Sequence, residues 1–266
     1  MNACGEKKSK NTSIKNTFKN ENITTTISDS NLKISNTKND SISPKSINEI
    51  DSLIFRKFDY SQENLSTTER AMADAGLVDV LDILPQIKLD LRYTTSNNFV
   101  GEILYPDTKR CFLKIETLIK LSKALKILQK KNSSYTFIIY DGARPQSVQY
   151  KMYEIAKQKG KTKYVAKPEK GGLHNFGVAV DIGLYDLVNN QVVDMGTDFD
   201  FFGPEAQPRN HAQMLKEGKL TQQQIDNRNL LKSCMKQAGF IAILTEWWHF
   251  EAYDKYYTRA HFKIVK

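Results

Sequence analysis

Gly171-Gly-Leu-His174-Asn-Phe-Gly177-Val-Ala-Val-Asp181-Ile-Gly-Leu184 is the stretch from which the fold is read. Val178 to Leu184 is rich in β-formers, and Val192 to Met195 follows across Asn189-Asn190, a dipeptide suited to a hairpin turn. His174 and Asp181 stand seven residues apart, an odd interval that on one regular strand would send them to opposite faces. A turn must therefore separate them, and Gly177 can supply it. That leaves Val178, Val180 and Ile182 on a core face, with Ala179, Asp181 and Gly183 on the other, where small neighbours leave room beside the carboxylate.

Outward from this stretch, Ile87, Leu89, Leu91 and Tyr93 alternate with Lys88, Asp90, Arg92 and Thr94, which predicts a half-buried strand. Ile115, Leu118, Leu121, Leu125 and Leu128 recur at helical spacing, predicting a helix from about Phe112 to Lys131 that Asn132-Ser-Ser stops. Tyr135 to Tyr140 reads as a buried strand, and Pro145 suits the first turn of a helix closed by Gly160. Thr221 and Gln224 form a capping box for a helix to Ala238, with Gly239 as its breaker. Phe240 to Leu244 and Trp247 to Glu251 are strand-like. Helices and strands in irregular order, joined partly by hairpins, predict an α+β fold: a small mixed or antiparallel sheet with helices packed on it.

The 266 residues exceed the usual size of a single domain. Residues 1–50 contain one aromatic, Phe18, among Asn, Ser, Thr and Lys, and read as a disordered tether. Residues 51–75 read as an extension packing on, or leading into, a domain at 76–266. The net charge of +9 is spread without any block of five like charges, so it reads as a solvated basic face and not as a nucleic-acid footprint. No apolar run approaches the ~18 to 20 residues needed to cross a bilayer, which excludes a multispan membrane protein. Cys4, Cys111 and Cys234 match neither a disulfide scaffold nor CxxC metal spacing. Cys4 follows Met-Asn-Ala and precedes the polar tether, an arrangement that resembles a bacterial lipoprotein maturation site; the other reading is an ordinary exposed thiol. On the first reading a lipidated Cys4 anchors a periplasmic or membrane-anchored envelope protein. On the second, a cytoplasmic location stays open.

Histidine is scarce: His174, His211, His249 and His261 are all there are. His174 lies in the opening stretch with Asp181, and His249 lies in Thr245-Glu246-Trp-Trp-His249-Phe250, so each segment pairs an imidazole with a carboxylate. Two neutral imidazoles and one carboxylate make a three-ligand zinc site with the fourth position open, the arrangement of catalytic zinc. Taken singly, each histidine also reads as a hydrogen-bonded interior residue. Glu246 and His249 share the parity problem of His174 and Asp181, so a bulge or strand end near the tryptophans is needed to bring both to one site.

The same segments resemble the D-alanyl-D-alanine dipeptidases, with a zinc fold of the Hedgehog/D,D-peptidase type. The likeness runs from about residue 76 to the C-terminus. It rests on Asp90 to Gly101, on Tyr140-Asp-Gly-Ala-Arg144-Pro145, on the H-x6-D segment from His174 to Asp181, on Met195-Gly-Thr-Asp-Phe-Asp200, and on Glu246-Trp-Trp-His249. The resemblance implies one Zn2+ per chain, held by His174, Asp181 and His249 in a cleft on the sheet. It implies Glu246 as general base and then acid, and Arg144 facing the developing oxyanion. It aligns Asp200 with an acid near the substrate's free ammonium, with Asp198 as a nearby competitor and a plain loop-turn aspartate as the other reading. Gly172 departs from the family pattern, where a serine is expected, and removes a hydroxyl contact to substrate.

The function implied is zinc-dependent hydrolysis of D-Ala-D-Ala, or a related D,D-dipeptide, in cell-wall precursor or peptidoglycan metabolism. Two alternatives stand beside it: a D,D- or L,D-carboxypeptidase or endopeptidase acting on peptidoglycan stem peptides, and a noncatalytic zinc-binding envelope module. The partner implied is a small dipeptide, with membrane anchoring only through Cys4. His211 and His261 are left to surface or structural roles.

Overall fold

The computed structural model describes residues 58–266. The tether expected over 1–50, including Cys4, lies outside the described residues. Helix α1 (Thr67–Asp74) opens on a capping box between Ser66 and Glu69. Glu69 is buried, and its Oε1 accepts from the amides of Lys109 and Arg110. Strand β1 (Val78–Asp79) leads into the short helix α2 (Val80–Ile83), then β2 (Lys88–Leu89). Strand β3 (Phe112–Leu113) pairs antiparallel with β1. Next come helix α3 (Ile115–Lys131), strand β4 (Tyr135–Asp141), helix α4 (Gln146–Gln158) and strand β5 (Ala179–Asp186). The chain continues through β6 (Gln191–Val192), α5 (His211–Lys216), α6 (Gln222–Gln237), β7 (Ile241–Ala242), β8 (His249–Glu251) and α7 (Lys255–His261).

The main sheet has the order β2-β4-β5-β8-β7, with β6 pairing to the far end of β5. Only β2 and β4 run parallel; the other pairs are antiparallel. The fold is α+β, as the irregular element order predicts. Helices α3 and α6 pack on each other and on β4 and β5. Leu118, Leu121, Leu125 and Leu128 supply the buried stripe of α3. The α6 capping box of Thr221 and Gln224 forms as expected, and Gly239 beyond its end takes φ +92°. Cys111 and Cys234 are both buried free thiols. No helix among the described residues is long and apolar enough to cross a membrane.

The strands expected over Val192–Met195, Phe240–Leu244 and Trp247–Glu251 are shortened to Gln191–Val192, Ile241–Ala242 and His249–Glu251, and three further elements differ from the sequence reading. The strand expected from Ile87 to Thr94 is cut to Lys88–Leu89, followed by a 3-10 turn over Arg92–Thr94. The hydroxyls of Thr94 and Thr95 bond back to the carbonyls of Leu91 and Arg92, and this local satisfaction competes with the ladder. Helix α3 begins at Ile115 and not near Phe112, because Phe112 and Leu113 are paired with β1. Strand β5 is buried on both faces, so Ala179 and Gly183 are core positions too. Gly183 faces the Tyr140 ring, where a Cβ would meet Tyr140 Oη at 2.8 Å.

Candidate active site

The site begins as a row across three strands. Asp181 of β5 is the direct partner of His249 on β8 and of Asp141 on β4. Directly opposite residues project from the same face of a sheet, so these three side chains share one side. On β4 the register shifts between Ile139 and Asp141, leaving Tyr140 as the extra residue. That bulge brings Asp141, and not Tyr140, opposite Asp181. The Tyr140 ring instead stacks on Phe199 at 5.1 Å.

His174 reaches the row from outside the strand. Leu173–Phe176 forms a 3-10 turn that ends at Gly177 with φ +70°, a backbone conformation suited to glycine. A Cβ at Gly177 would meet Leu77 Cδ2 at 2.7 Å. The turn is tied down by Arg144 N donating to His174 O at 3.0 Å and by Asn175 Nδ2 donating to Arg144 O at 2.7 Å. The His174 ring is oriented by Nδ1, 2.7 Å from the Gly142 carbonyl oxygen. A carbonyl can only accept, so Nδ1 carries a proton, and in the neutral ring Nε2 is the nitrogen left to bind a metal.

His174 Nε2, His249 Nδ1 and Asp181 Oδ1 converge, with separations of 3.2, 2.9 and 3.4 Å. Donors about 2.0 to 2.2 Å from a tetrahedral zinc lie roughly 3.3 to 3.6 Å apart, close to the spacing seen. Three electron-pair donors so near one another repel unless a proton or a cation lies among them. Burial pushes Asp181 up, but the adjoining His174 and His249 outweigh it and hold the carboxyl well below the usual range. Burial pushes the His249 imidazole down, while hydrogen bonds to Asp181 and Glu251 carry it up to about 10. A proton and a metal ion thus compete for the same atoms. Among the described residues this is the one group of three His, Cys, Asp or Glu side chains arranged to hold a metal.

The centre opens into a cavity of about 560 Å³ that Glu246, Arg144 and Asp200 also line. Glu246 precedes β8 in an irregular stretch between two bends, so strand alternation does not relate it to His249. Burial pushes its carboxyl up, and His249 pulls the other way. Arg144 is buried. Its Nη2 pairs with Asp141 Oδ2, its Nη1 donates to Gln149 Oε1 at 3.0 Å, and the guanidinium lies over the Tyr93 ring at 5.1 Å. Arg144 Nε is buried with no hydrogen-bond partner among the described residues. Asp200 takes φ +63°, and its two oxygens accept from Tyr93 Oη and Phe99 N, each at 3.2 Å. Burial, and then the Asp181 charge, push the Asp200 carboxyl well up.

Residues 73–266 match the sequence profile of the D-ala-D-ala dipeptidase family. The chain belongs to that family. A D-alanyl-D-alanine dipeptidase of Escherichia coli K12 is 34% identical over 175 residues, which span 66% of this chain and 83% of the relative. A D-alanyl-D-alanine dipeptidase of Enterococcus faecium is 25% identical over 205 residues, spanning 71% of this chain and 97% of the relative. One from Synechocystis is 29% identical over 174 residues, covering 54% and 70%. The family is one of metallopeptidases, and in this chain His174, Asp181 and His249 form a cluster able to hold a metal ion.

The family's centre in this chain also uses groups that the sequence reading did not single out. Asp141 faces Asp181 across the sheet and neutralises Arg144. The Gly142 carbonyl sets the His174 tautomer, and Tyr93 supports both Asp200 and Arg144. Asp141 and Gly142 stand in the quoted Tyr140–Pro145 segment, at the end of a buried strand; that position was the available signal. Of the two remaining histidines, His211 opens α5 beside Arg228, and exposed His261 stacks on Tyr257 at 3.9 Å. Neither joins the centre.

Proposed function

We propose that this chain hydrolyses D-Ala-D-Ala, or a closely related D,D-dipeptide, using one zinc ion held by His174, Asp181 and His249. The observation that carries the reading is the convergence of three donor atoms within 3.4 Å in a cavity that the half-buried Glu246 also lines. Zinc bound there would lower the pKa of a water to about 7 and polarise the scissile carbonyl. Glu246, raised by burial, is suited to take a proton from the attacking water and to return it to the leaving amine. Arg144, braced by Asp141 and Gln149 on the wall of the cavity, is the cation suited to face the oxygen that gains charge as the amide carbon becomes tetrahedral. Asp200, whose carboxyl burial pushes well up, would ionise against the substrate's ammonium, which would be costly to bury unpaired. With Gly172 supplying no hydroxyl, selection for a free amino terminus rests on that acid.

The deciding experiment is D-alanine release from D-Ala-D-Ala before chelation, after it, and after zinc is restored. Loss and recovery are expected; hydrolysis indifferent to chelation overturns the reading. The cavity volume of about 560 Å³ favours one alternative, because it lies in the range that holds drug-sized ligands and exceeds what two alanines fill. On that second reading the enzyme trims peptidoglycan stem peptides, and faster cleavage of a stem pentapeptide than of the free dipeptide would select it. A noncatalytic module has no use for a carboxyl that lines the cavity and is pushed up by its surroundings, as that of Glu246 is.

We place the reaction in cell-wall precursor or peptidoglycan metabolism, in the bacterial envelope, anchored through a lipidated Cys4. Support comes from the Cys4 sequence context and its polar tether. Fatty-acid labelling of the full chain in cells, abolished by Cys4→Ala, is the expected result.

A further inference from the structure

The segment from Asp194 to Asn210 contains no strand and no α-helix, only two 3-10 turns, yet it builds one wall of the cleft. Asp200 and Phe202 line the cavity, and the rings of Phe199 and Phe202 pack on Trp248 at 5.4 and 6.0 Å. Without a ladder of its own, such a segment takes its path from whatever holds its polar groups.

What holds it is one face of α6. Gln224 Nε2 donates to Asp194 Oδ2 and Asn227 Nδ2 to Asp194 O, both at 2.8 Å. Arg228 Nε donates to Met195 O at 2.6 Å, and Arg228 Nη1 to Glu205 O at 2.7 Å. His211 Nε2 lies 3.2 Å from the same Nη1, where it can only accept. The guanidinium sits over the Trp247 ring at 5.8 Å, and Trp247 Nε1 donates to Thr197 Oγ1 at 2.8 Å. A closed circuit therefore runs from Arg228 through Met195, Thr197 and Trp247 back to Arg228. Asp200 follows three residues after Thr197, and Glu246 adjoins Trp247.

Arg228 is a costly choice for this position. It is 3% exposed, its partners are neutral acceptors, and its Nη2 has no hydrogen-bond partner among the described residues. Burial pushes the guanidinium down to about 10, and burial together with Arg228 pushes His211 down to about 4. An apolar side chain of similar volume often serves stability as well as a buried ion, or better. Stability therefore gives little reason for an arginine here, whereas a fixed path for the segment does.

We propose that Arg228 is a positioning residue for the reaction: by tying the carbonyls of Met195 and Glu205 to a guanidinium that lies over the Trp247 ring, it sets where Asp200 stands relative to Glu246 and the metal-holding side chains. The proposal rests on the reading of Asp200 as the acid that meets the substrate's ammonium.

The test uses the full metal-loaded chain with Arg228→Met and Arg228→Lys. Arg228→Met is expected to fold and to keep its zinc. Its KM for D-Ala-D-Ala should rise at least about tenfold, about 1.4 kcal/mol, with a smaller change in kcat. Its preference for the free dipeptide over the N-acetylated one should fall, and Arg228→Lys, which can still reach one carbonyl, should recover part of both. Thr197→Val cuts the Trp247 link without touching the buried charge and should shift selectivity in the same direction. Unchanged KM and unchanged free-amine preference in folded Arg228→Met overturn the proposal. If that variant fails to fold, the same null result in Arg228→Lys and Thr197→Val overturns it. Amide exchange read on these proteins needs no substrate. If the wild type hydrolyses no dipeptide, the functional reading falls, yet faster exchange confined to residues 194–205 in the variants still supports positioning, and unchanged exchange there overturns it.

Discussion

Asp181 and His249 are direct cross-strand partners between β5 and β8, with Asp181 Oδ1 2.9 Å from His249 Nδ1. Two of the three clustered donor groups are thus placed by backbone pairing, and no loop has to be ordered to bring them together. The third, His174, is placed by a turn whose geometry depends on one glycine.

Replacing that glycine tests the dependence. Gly177→Ala puts a Cβ at φ +70° and 2.7 Å from Leu77 Cδ2. A left-handed alanine costs about 1–2 kcal/mol before any clash. We expect a loss of at least that size in denaturant unfolding, together with weaker zinc retention as His174 shifts.

Glu246→Gln keeps the shape of the side chain and removes its proton-accepting charge. Zinc content should be unchanged by metal analysis, while kcat for D-Ala-D-Ala falls by about 10²- to 10⁴-fold. Retained turnover would refute the role assigned to Glu246.

The raised carboxyls give a pH signature. Only ionised Glu246 accepts a proton, so kcat/KM should climb with pH along a limb centred above the ordinary glutamate value of about 4.3. Asp200 is raised well up in the folded state, so the metal-free fold binds its proton more tightly than the unfolded chain does. Its contribution to stability is present below the ordinary aspartate value of about 3.9 and is lost as pH rises through the folded value. Asp200→Asn removes that loss. The variant should gain more stability relative to wild type at pH 7 than at pH 4, as thermal unfolding at the two pH values would show, while its KM rises.

Asp141→Asn strands a buried guanidinium. The side chains of Arg144 and Asp141 are 9% and 4% exposed, and removing one member of such a pair costs about 3–5 kcal/mol. Denaturant unfolding should show a loss of that order. Adding Arg144→Met to Asp141→Asn should recover most of the stability and none of the activity.

Much of this was legible in residue order. The helical spacing of Leu118 to Leu128, the Thr221–Gln224 capping box, the buried strand after Tyr135 and the need for a turn at Gly177 follow from local chemistry, and local chemistry is what a linear chain displays. His174 and His249, two of only four histidines and each in a segment with a carboxylate, pointed to one cluster, and the structure brings them together with Asp181. The strand expected from Ile87 to Thr94 stops early because threonine hydroxyls satisfy the backbone there, a competition that alternation of side chains does not report.

The sequence by itself determined which chemistry the chain carries: imidazoles, carboxylates and an arginine in the order of a dipeptidase family, on an α+β scaffold. Only the tertiary structure decided which of those groups meet. The bulge at Tyr140 turns Asp141 inward, the pairing of β5 with β8 sets Asp181 against His249, and Arg228 pins a segment with no ladder of its own. Each relation joins residues dozens of positions apart, so its energy depends on register and on desolvation shared between elements. Neither quantity exists until the chain has folded.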